Sequence, residues 1–338
     1  MKIILAIDSL KGCLSSAEAN RAAAGAVREV HCKAEIVECT VSDGGEGWID
    51  AWGTGEVIET TVHDPLMRPI RARYLKQGEV AVVEIAQACG LTLLRPEERN
   101  PLSASSYGVG ELIADGLKRG CTRFIVGLGG SATSDAGQGM LKALKDVDAR
   151  GVTFTIATDV GNPLYGERGA AAIFAPQKGA TPSMVRELDA RARLFAESNA
   201  REMGFDRSQA AGAGAAGGLG YAFMQFFNAD CRPGAELLLD TLHFDHILKD
   251  ADLVITGEGH ADRQTLMGKL PYHILNRARA KEVPCHLIAG GIQDADILLA
   301  AGFASIHEIN PPTLPLEEAL KPETAKRQIV WTVQQLLH

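Results

Sequence analysis

Five acids stand where short apolar, β-branched runs give way to polar turns. Asp8 follows residues 3–7, Asp43 and Glu46 follow 35–41, Asp159 follows 153–158 and Glu258 follows 253–256. In open α/β sheets, ligands bind outside such strand ends. Carboxylates gathered there could hold Mg²⁺ on a polyphosphate, and one could accept the proton of an attacking hydroxyl. The same acids make good helix N-caps, Asp8-Ser9 and Ser42-Asp43 above all, so each taken singly reads equally well as capping.

Glycine-rich turns lie beside these acids, at 44–47, 127–130, 212–220 and 257–259. Glycine lets backbone N–H groups come close to phosphate oxygens, and a following helix adds its positive end. Gly44, Gly45, Gly129, Gly130, Ser131, Gly217 and Gly218 are therefore candidate anion ligands, although a chain with 36 glycines also spends them on ordinary turns. Cations stand in similar places: Lys11 three residues after Asp8, Arg168, Lys178 and Lys269, each in a turn. They could stabilise a transferring phosphoryl group or capture a carboxylate, or simply be solvated. No GxxxxGK[ST] sequence occurs, and no GxGxxG follows the first apolar run, which argues against P-loop kinases and dinucleotide dehydrogenases. Residues 127–132 bear a local likeness to the phosphate loop of the homoserine and galactokinase-like superfamily, whose other motifs are missing.

The elements needed to position these groups can be read from periodicity. Residues 3–7 and 35–41 read as strands around a helix near 15–30, and strands at 253–256, 286–289 and 305–308 alternate with helices near 266–281, 294–301 and 324–337. Together they predict a flavodoxin-like, doubly wound parallel sheet, interrupted by a second, inserted α/β domain. The expected division is 1–54 with 245–338 against 55–244; a sequential split near 150–151 would strand the last three β-runs without their first pair. Within the insertion, hairpin-like runs fall at 56–62, 70–75 and 80–85, and buried strands at 124–127 and 153–158. The segment 210–220, AAGAGAAGGLG, is either a flexible linker or a tightly packed, phosphate-approaching loop.

The 338 residues are 46 % hydrophobic and carry a net charge of -8, with 34 basic against 42 acidic side chains, so the basic footprint of a nucleic-acid binder is missing. Seven scattered cysteines without a Cys-x-x-Cys pair argue against a disulfide framework or structural zinc. The opening MKIILAID is too short an apolar run for a signal peptide or membrane span, so a cytoplasmic location is expected. The sequence does not set the oligomeric state; a homodimer is compatible with it.

The motifs Asp8-Ser9-Leu10-Lys11, Asp43-Gly44-Gly45-Glu46-Gly47, Gly129-Gly130-Ser131-Ala132-Thr133, Thr158-Asp159-Val160-Gly161-Asn162-Pro163-Leu164, Pro176-Gln177-Lys178-Gly179-Ala180 and Ile255-Thr256-Gly257-Glu258-Gly259 occur in this order. The chain resembles the type-1 bacterial glycerate kinases over nearly its whole length. That resemblance implies ATP- and Mg²⁺-dependent phosphorylation of D-glycerate, usually at the 2-hydroxyl, on two α/β domains with a cleft between them. On this reading Asp43 orients or deprotonates the hydroxyl and Asp159 and Glu258 hold Mg²⁺, while Asp8 could serve either task. Lys11, Arg168, Lys178 and the glycine turns neutralise carboxylate and phosphate charge. The chain departs from the family in a short stretch at 145–151, in His260 where a cation is usual, and in Leu10 where Phe is commoner. The rival readings are a ligand-binding relative without catalysis and a kinase of another small hydroxy acid.

Overall fold

The computed structural model describes residues 1–10 and 12–338; the candidate Lys11 lies outside the described residues. Strands among them are β1 (Lys2–Ile7), β2 (Glu35–Glu38), β3 (Glu56–His63), β4 (Pro69–Gln77), β5 (Val80–Glu84), β6 (Arg123–Gly127), β7 (Thr153–Ala157), β8 (Asp230–Arg232), β9 (Leu253–Ala261), β10 (Cys285–Ile292) and β11 (Ser305–Glu308). They fall into two compact units. The first comprises Met1–Asp43, Asp50–Trp52 and Ala235–His338, the second Gly44–Ile49 and Gly53–Gly234.

In the first unit all five strands are parallel, in the order β11-β10-β9-β1-β2. Counted within the unit this is 2-1-3-4-5, the flavodoxin-like doubly wound order, with its switch point between β1 and β9. The continuous apolar run of β1 follows from burial on both faces, since Ile3 through Ile7 are shielded from solvent. The helix Ser16–Val30 starts at a capping box, in which the Ser15 hydroxyl and the Glu18 carboxylate each accept the other residue's backbone N–H. It packs Ala19, Ala23, Ala26 and Val27 into the core.

Two polar residues of that buried face fix the strand exits. Asn20 Oδ1 accepts the Ile7 N–H at 3.0 Å, and Asn20 Nδ2 donates to the Cys39 carbonyl at 2.9 Å. The Ser16 hydroxyl donates to the Ile7 carbonyl at 2.6 Å and accepts the Val41 N–H at 2.9 Å. Past Glu38 the Cys39 N–H still donates to the Leu5 carbonyl at 2.8 Å, and these side-chain bonds then take over, which ends β2 short of the apolar run and places Asp8 and Asp43. Asn20→Ala would leave two buried backbone groups unsatisfied; a loss of about 2 kcal/mol is expected, read from the urea midpoint at unchanged slope.

β9 extends past residue 256 because Gly291 and Ile292 of β10 pair with His260 and Ala261. Glu258 therefore sits inside a strand instead of in the turn after it. The helix expected at 266–281 is broken: a 3₁₀ turn at Arg263–Met267 ends at Gly268, whose φ is 103°, and the α-helix is Leu270–Ala280.

The second unit has a six-stranded sheet ordered β3-β4-β5-β6-β7-β8, antiparallel from β3 to β5 and parallel from β5 to β8. Phe154 lies 5.2 Å from Phe124 and 5.0 Å from Phe227, centroid to centroid, at the centre of its core. The three-residue β8 escaped the sequence reading because so short a run carries no period. The glycine-rich stretch is packed. Ala216, Gly217 and Gly218 take left-handed φ values of 52°, 66° and 96°, and a Cβ on Gly217 would lie 2.0 Å from the Thr133 carbonyl oxygen. No side chain fits that approach. None of the seven cysteines is in a disulfide, and no helix among the described residues is long and apolar enough to cross a membrane.

Candidate active site

The first unit opens a cavity of about 530 Å³ at the C-terminal ends of its strands. Asp8, Asp43, Glu258, His260 and Lys269 all line it. Ile7 stands opposite Gly257, and the Asp8 N–H donates to the Gly257 carbonyl at 2.9 Å, so Asp8 and Glu258 leave neighbouring strands at the switch point.

The three carboxylates differ in burial and in their neighbours. Glu258 is buried, and its Oε1 accepts the Thr265 hydroxyl at 2.6 Å while Oε2 faces Lys269 Nζ at 2.8 Å. Thr265 can serve because its oxygen also accepts the Asp262 N–H at 3.1 Å, closing the 3₁₀ turn on itself. Asp8 is buried too, and its Oδ1 accepts the Ser9 N–H at 2.7 Å. Asp43 is only partly buried, the most accessible of the three. His260 is exposed, and Lys269 Nζ reaches its carbonyl at 3.4 Å, so an ammonium stands where the sequence offers an imidazole.

The second unit gathers most of the other candidates. The Gly129 N–H donates to the Gly44 carbonyl at 3.0 Å, and a Cβ on Gly129 would lie 2.3 Å from the Gly45 Cα. Only glycine permits two backbones so close. Ser131 and Thr133 are fixed from the same loop by Lys178, whose Nζ donates to the Ser131 hydroxyl at 2.9 Å and to the Thr133 carbonyl at 2.6 Å. Lys178 is buried, and that burial pushes its ammonium down to about 8, against the pull of Cys89 and Asp135. The Gly217 carbonyl accepts the Ala136 N–H at 2.9 Å, so residues 217–218 brace this loop.

Two further candidates have contacts of their own. Asp159 Oδ1 accepts the Gly234 N–H at 2.9 Å. Arg168 is exposed, in a turn closed by Asn162 Nδ2 on the Arg168 carbonyl at 2.8 Å. Asp159 and Glu258, paired as metal holders from the sequence, belong to different units.

Positioning residues went unread. Asp135 accepts four hydrogen bonds, from the Ser106 N–H and hydroxyl and the Gly137 and Gly139 N–H groups, and so shapes the end of the 129–139 segment. Its signal was the Asp-x-Gly turn at 135–137. Thr265 had one as well, since Asp262-x-x-Thr265 has the spacing of a cap. Among the described residues no three His, Cys, Asp or Glu side chains converge closely enough to hold a metal ion.

The glycerate kinase family model matches this chain over residues 3–151 and 145–338. The break falls on the stretch that reads short in the sequence. A Bacillus subtilis (strain 168) protein named glycerate kinase is 38 % identical, over 95 % of this chain and 93 % of its own length. Escherichia coli (strain K12) glycerate 2-kinase is 35 % identical, over 95 % of this chain and 93 % of its own. A Salmonella typhimurium LT2 protein, assigned as glycerate kinase 2, has a crystal structure that superposes with a TM-score of 0.83 at 36 % identity, covering 100 % of this chain and 97 % of that one.

Proposed function

Because this chain belongs to the glycerate kinase family, we infer that it transfers the γ-phosphoryl group of ATP to a hydroxyl of D-glycerate, giving 2-phospho-D-glycerate. The observation that carries this reading is the agreement with relatives along nearly the entire chain. The cavity supports it, with three carboxylates and an ammonium at the strand ends of a doubly wound sheet.

Asp43 is assigned as the base that accepts the hydroxyl proton. Asp8 offers hard oxygen donors, as Mg²⁺ prefers, for an ion that would also keep waters and take phosphate oxygens. Glu258 would act through water, both its oxygens being engaged; the role of Asp159 as an oxygen donor to Mg²⁺ is proposed from the sequence motif. Bound Mg²⁺ would neutralise charge on the transferring group. The turns at Gly44-Gly45 and Gly129-Gly130-Ser131, with Gly217-Gly218, Arg168, Lys178, Lys269 and Lys11, are assigned to binding or positioning the anionic groups. The protein is placed in the cytoplasm, with no nucleic-acid partner.

The test combines purified protein, D-glycerate and Mg-ATP, with ADP release followed in a coupled assay and the product read by phosphorus NMR. A 2-phosphoester is expected; ATP consumption that tracks no phosphoester, or none at all, would refute the reading. Thr265→Val would take from the Glu258 carboxylate one hydrogen bond, worth about 1.5 kcal/mol, and from the Asp262 N–H its acceptor, so kcat/KM is expected to fall about tenfold with the helix and strand content unchanged by circular dichroism.

A further inference from the structure

D-Glycerate is a polar three-carbon acid, far too small for a cavity of about 530 Å³. Nor does it match the walls. Away from the carboxylates the lining is apolar, contributed by Leu10, Cys13, Ile309, Leu316, Ala319 and Leu320. Leu316 is 72 % and Leu320 45 % exposed, one helical turn apart on the rim around the helix Leu316–Ala319. Apolar side chains presented to solvent at a cavity mouth suit a flat, weakly polar ligand.

One polar group interrupts this wall. Asn310, directly after Ile309, donates from Nδ2 to the Gly290 carbonyl at 2.7 Å, which fixes its amide orientation. Its Oδ1 is buried and has no hydrogen-bond partner among the described residues. A buried acceptor without a donor is costly, and a ligand that brings an N–H recovers that cost.

We propose that the apolar end of this cavity is the base subsite for the nucleotide, with Asn310 Oδ1 accepting a hydrogen bond from the 6-amino group of adenine. The proposal rests on the kinase reading above for its choice of ligand. It adds a specificity: a 6-oxopurine places an acceptor against the Asn310 acceptor and is discriminated against, while the leucines of the rim contact either ring equally.

The test is equilibrium binding of ATP and of inosine triphosphate to the full chain without glycerate, so that its outcome does not depend on turnover. The two bases differ in the 6-substituent and in the proton that the 6-oxopurine carries on N1. The wild type is expected to bind ATP about tenfold more tightly, the value of one buried hydrogen bond. Asn310→Ala should bring the two constants within about twofold of each other by weakening ATP alone. Leu316→Ser, at a position too exposed to matter for folding, should weaken both by about fivefold. Equal affinities in the wild type, no binding of either nucleotide, discrimination that survives Asn310→Ala, or constants unmoved by Leu316→Ser would each overturn the proposal. Turnover of glycerate, measured separately, tests the kinase reading and can fail while the base subsite stands.

Discussion

Asp43→Asn is expected to lower kcat for D-glycerate and ATP by about 10³-fold, with little change in either KM. The substitution keeps size and polarity but removes proton affinity, so only steps in which the group takes up a proton should suffer. Three carboxylates line the cavity, and the choice among them is physical. Glu258 has one oxygen on Thr265 and the other on Lys269, and deprotonating a substrate would compete with an ammonium 2.8 Å away. Asp8 is buried and has one oxygen on the Ser9 N–H. Asp43 is the most exposed of the three. Its backbone is fixed two residues upstream, where the Val41 N–H meets the Ser16 hydroxyl, so the asparagine variant should keep the wild-type melting temperature. Single-turnover kinetics would separate chemistry from product release. A rate within tenfold of wild type would remove Asp43 as the base and turn attention to Asp8.

The strand ends that line the cavity are legible in the sequence because their carriers are local. An apolar run ending in Asp8, or in Ser42-Asp43, announces a strand end, and a parallel sheet collects its strand ends on one edge. The five-stranded sheet is legible for a related reason: β9, β10 and β11 each read as parallel strands with helices between them, and a sheet begun by β1 and β2 is completed by them. What failed to show was long-range. Nothing near Asn20 says that its amide will bridge Ile7 to Cys39, and nothing near Asp135 says that it will collect Ser106. The open reading of residues 210–220 is decided by Thr133, more than 70 residues away, whose carbonyl leaves no room for a side chain at Gly217. Glu258 was misplaced for the same reason, since β9 continues only where β10 pairs with it.

Lys178→Met is expected to reduce both stability and activity, and the two losses have one cause. The ammonium is buried where its partners are a hydroxyl, a carbonyl and, less directly, the Asp135 carboxylate, so the methionine variant leaves the Thr133 carbonyl and the Ser131 hydroxyl without their donor. That costs about 3 kcal/mol at neutral pH. The same loop carries Gly129 against Gly44 and Gly45, so loosening it should displace the backbone N–H groups assigned to the anions and lower kcat/KM about 10²-fold. A packing defect alone would cost stability too, but it would not share the pH signature. Burial holds the folded-state pKa of Lys178 at about 8, below the ordinary 10.5. Below about pH 8 both folded and unfolded chains keep the proton, and the full penalty for burying the charge is present. Between the two values the unfolded chain holds more protons than the folded one, so stability rises with pH, by about 3 kcal/mol across the window. Above it both forms are neutral and the gain is complete. The advantage of the wild type over the variant, measured by urea unfolding, should therefore grow between about pH 7.5 and about pH 10. If that advantage stays flat while activity still falls, the ammonium keeps its ordinary proton affinity, and the loop is held by packing around the lysine stem.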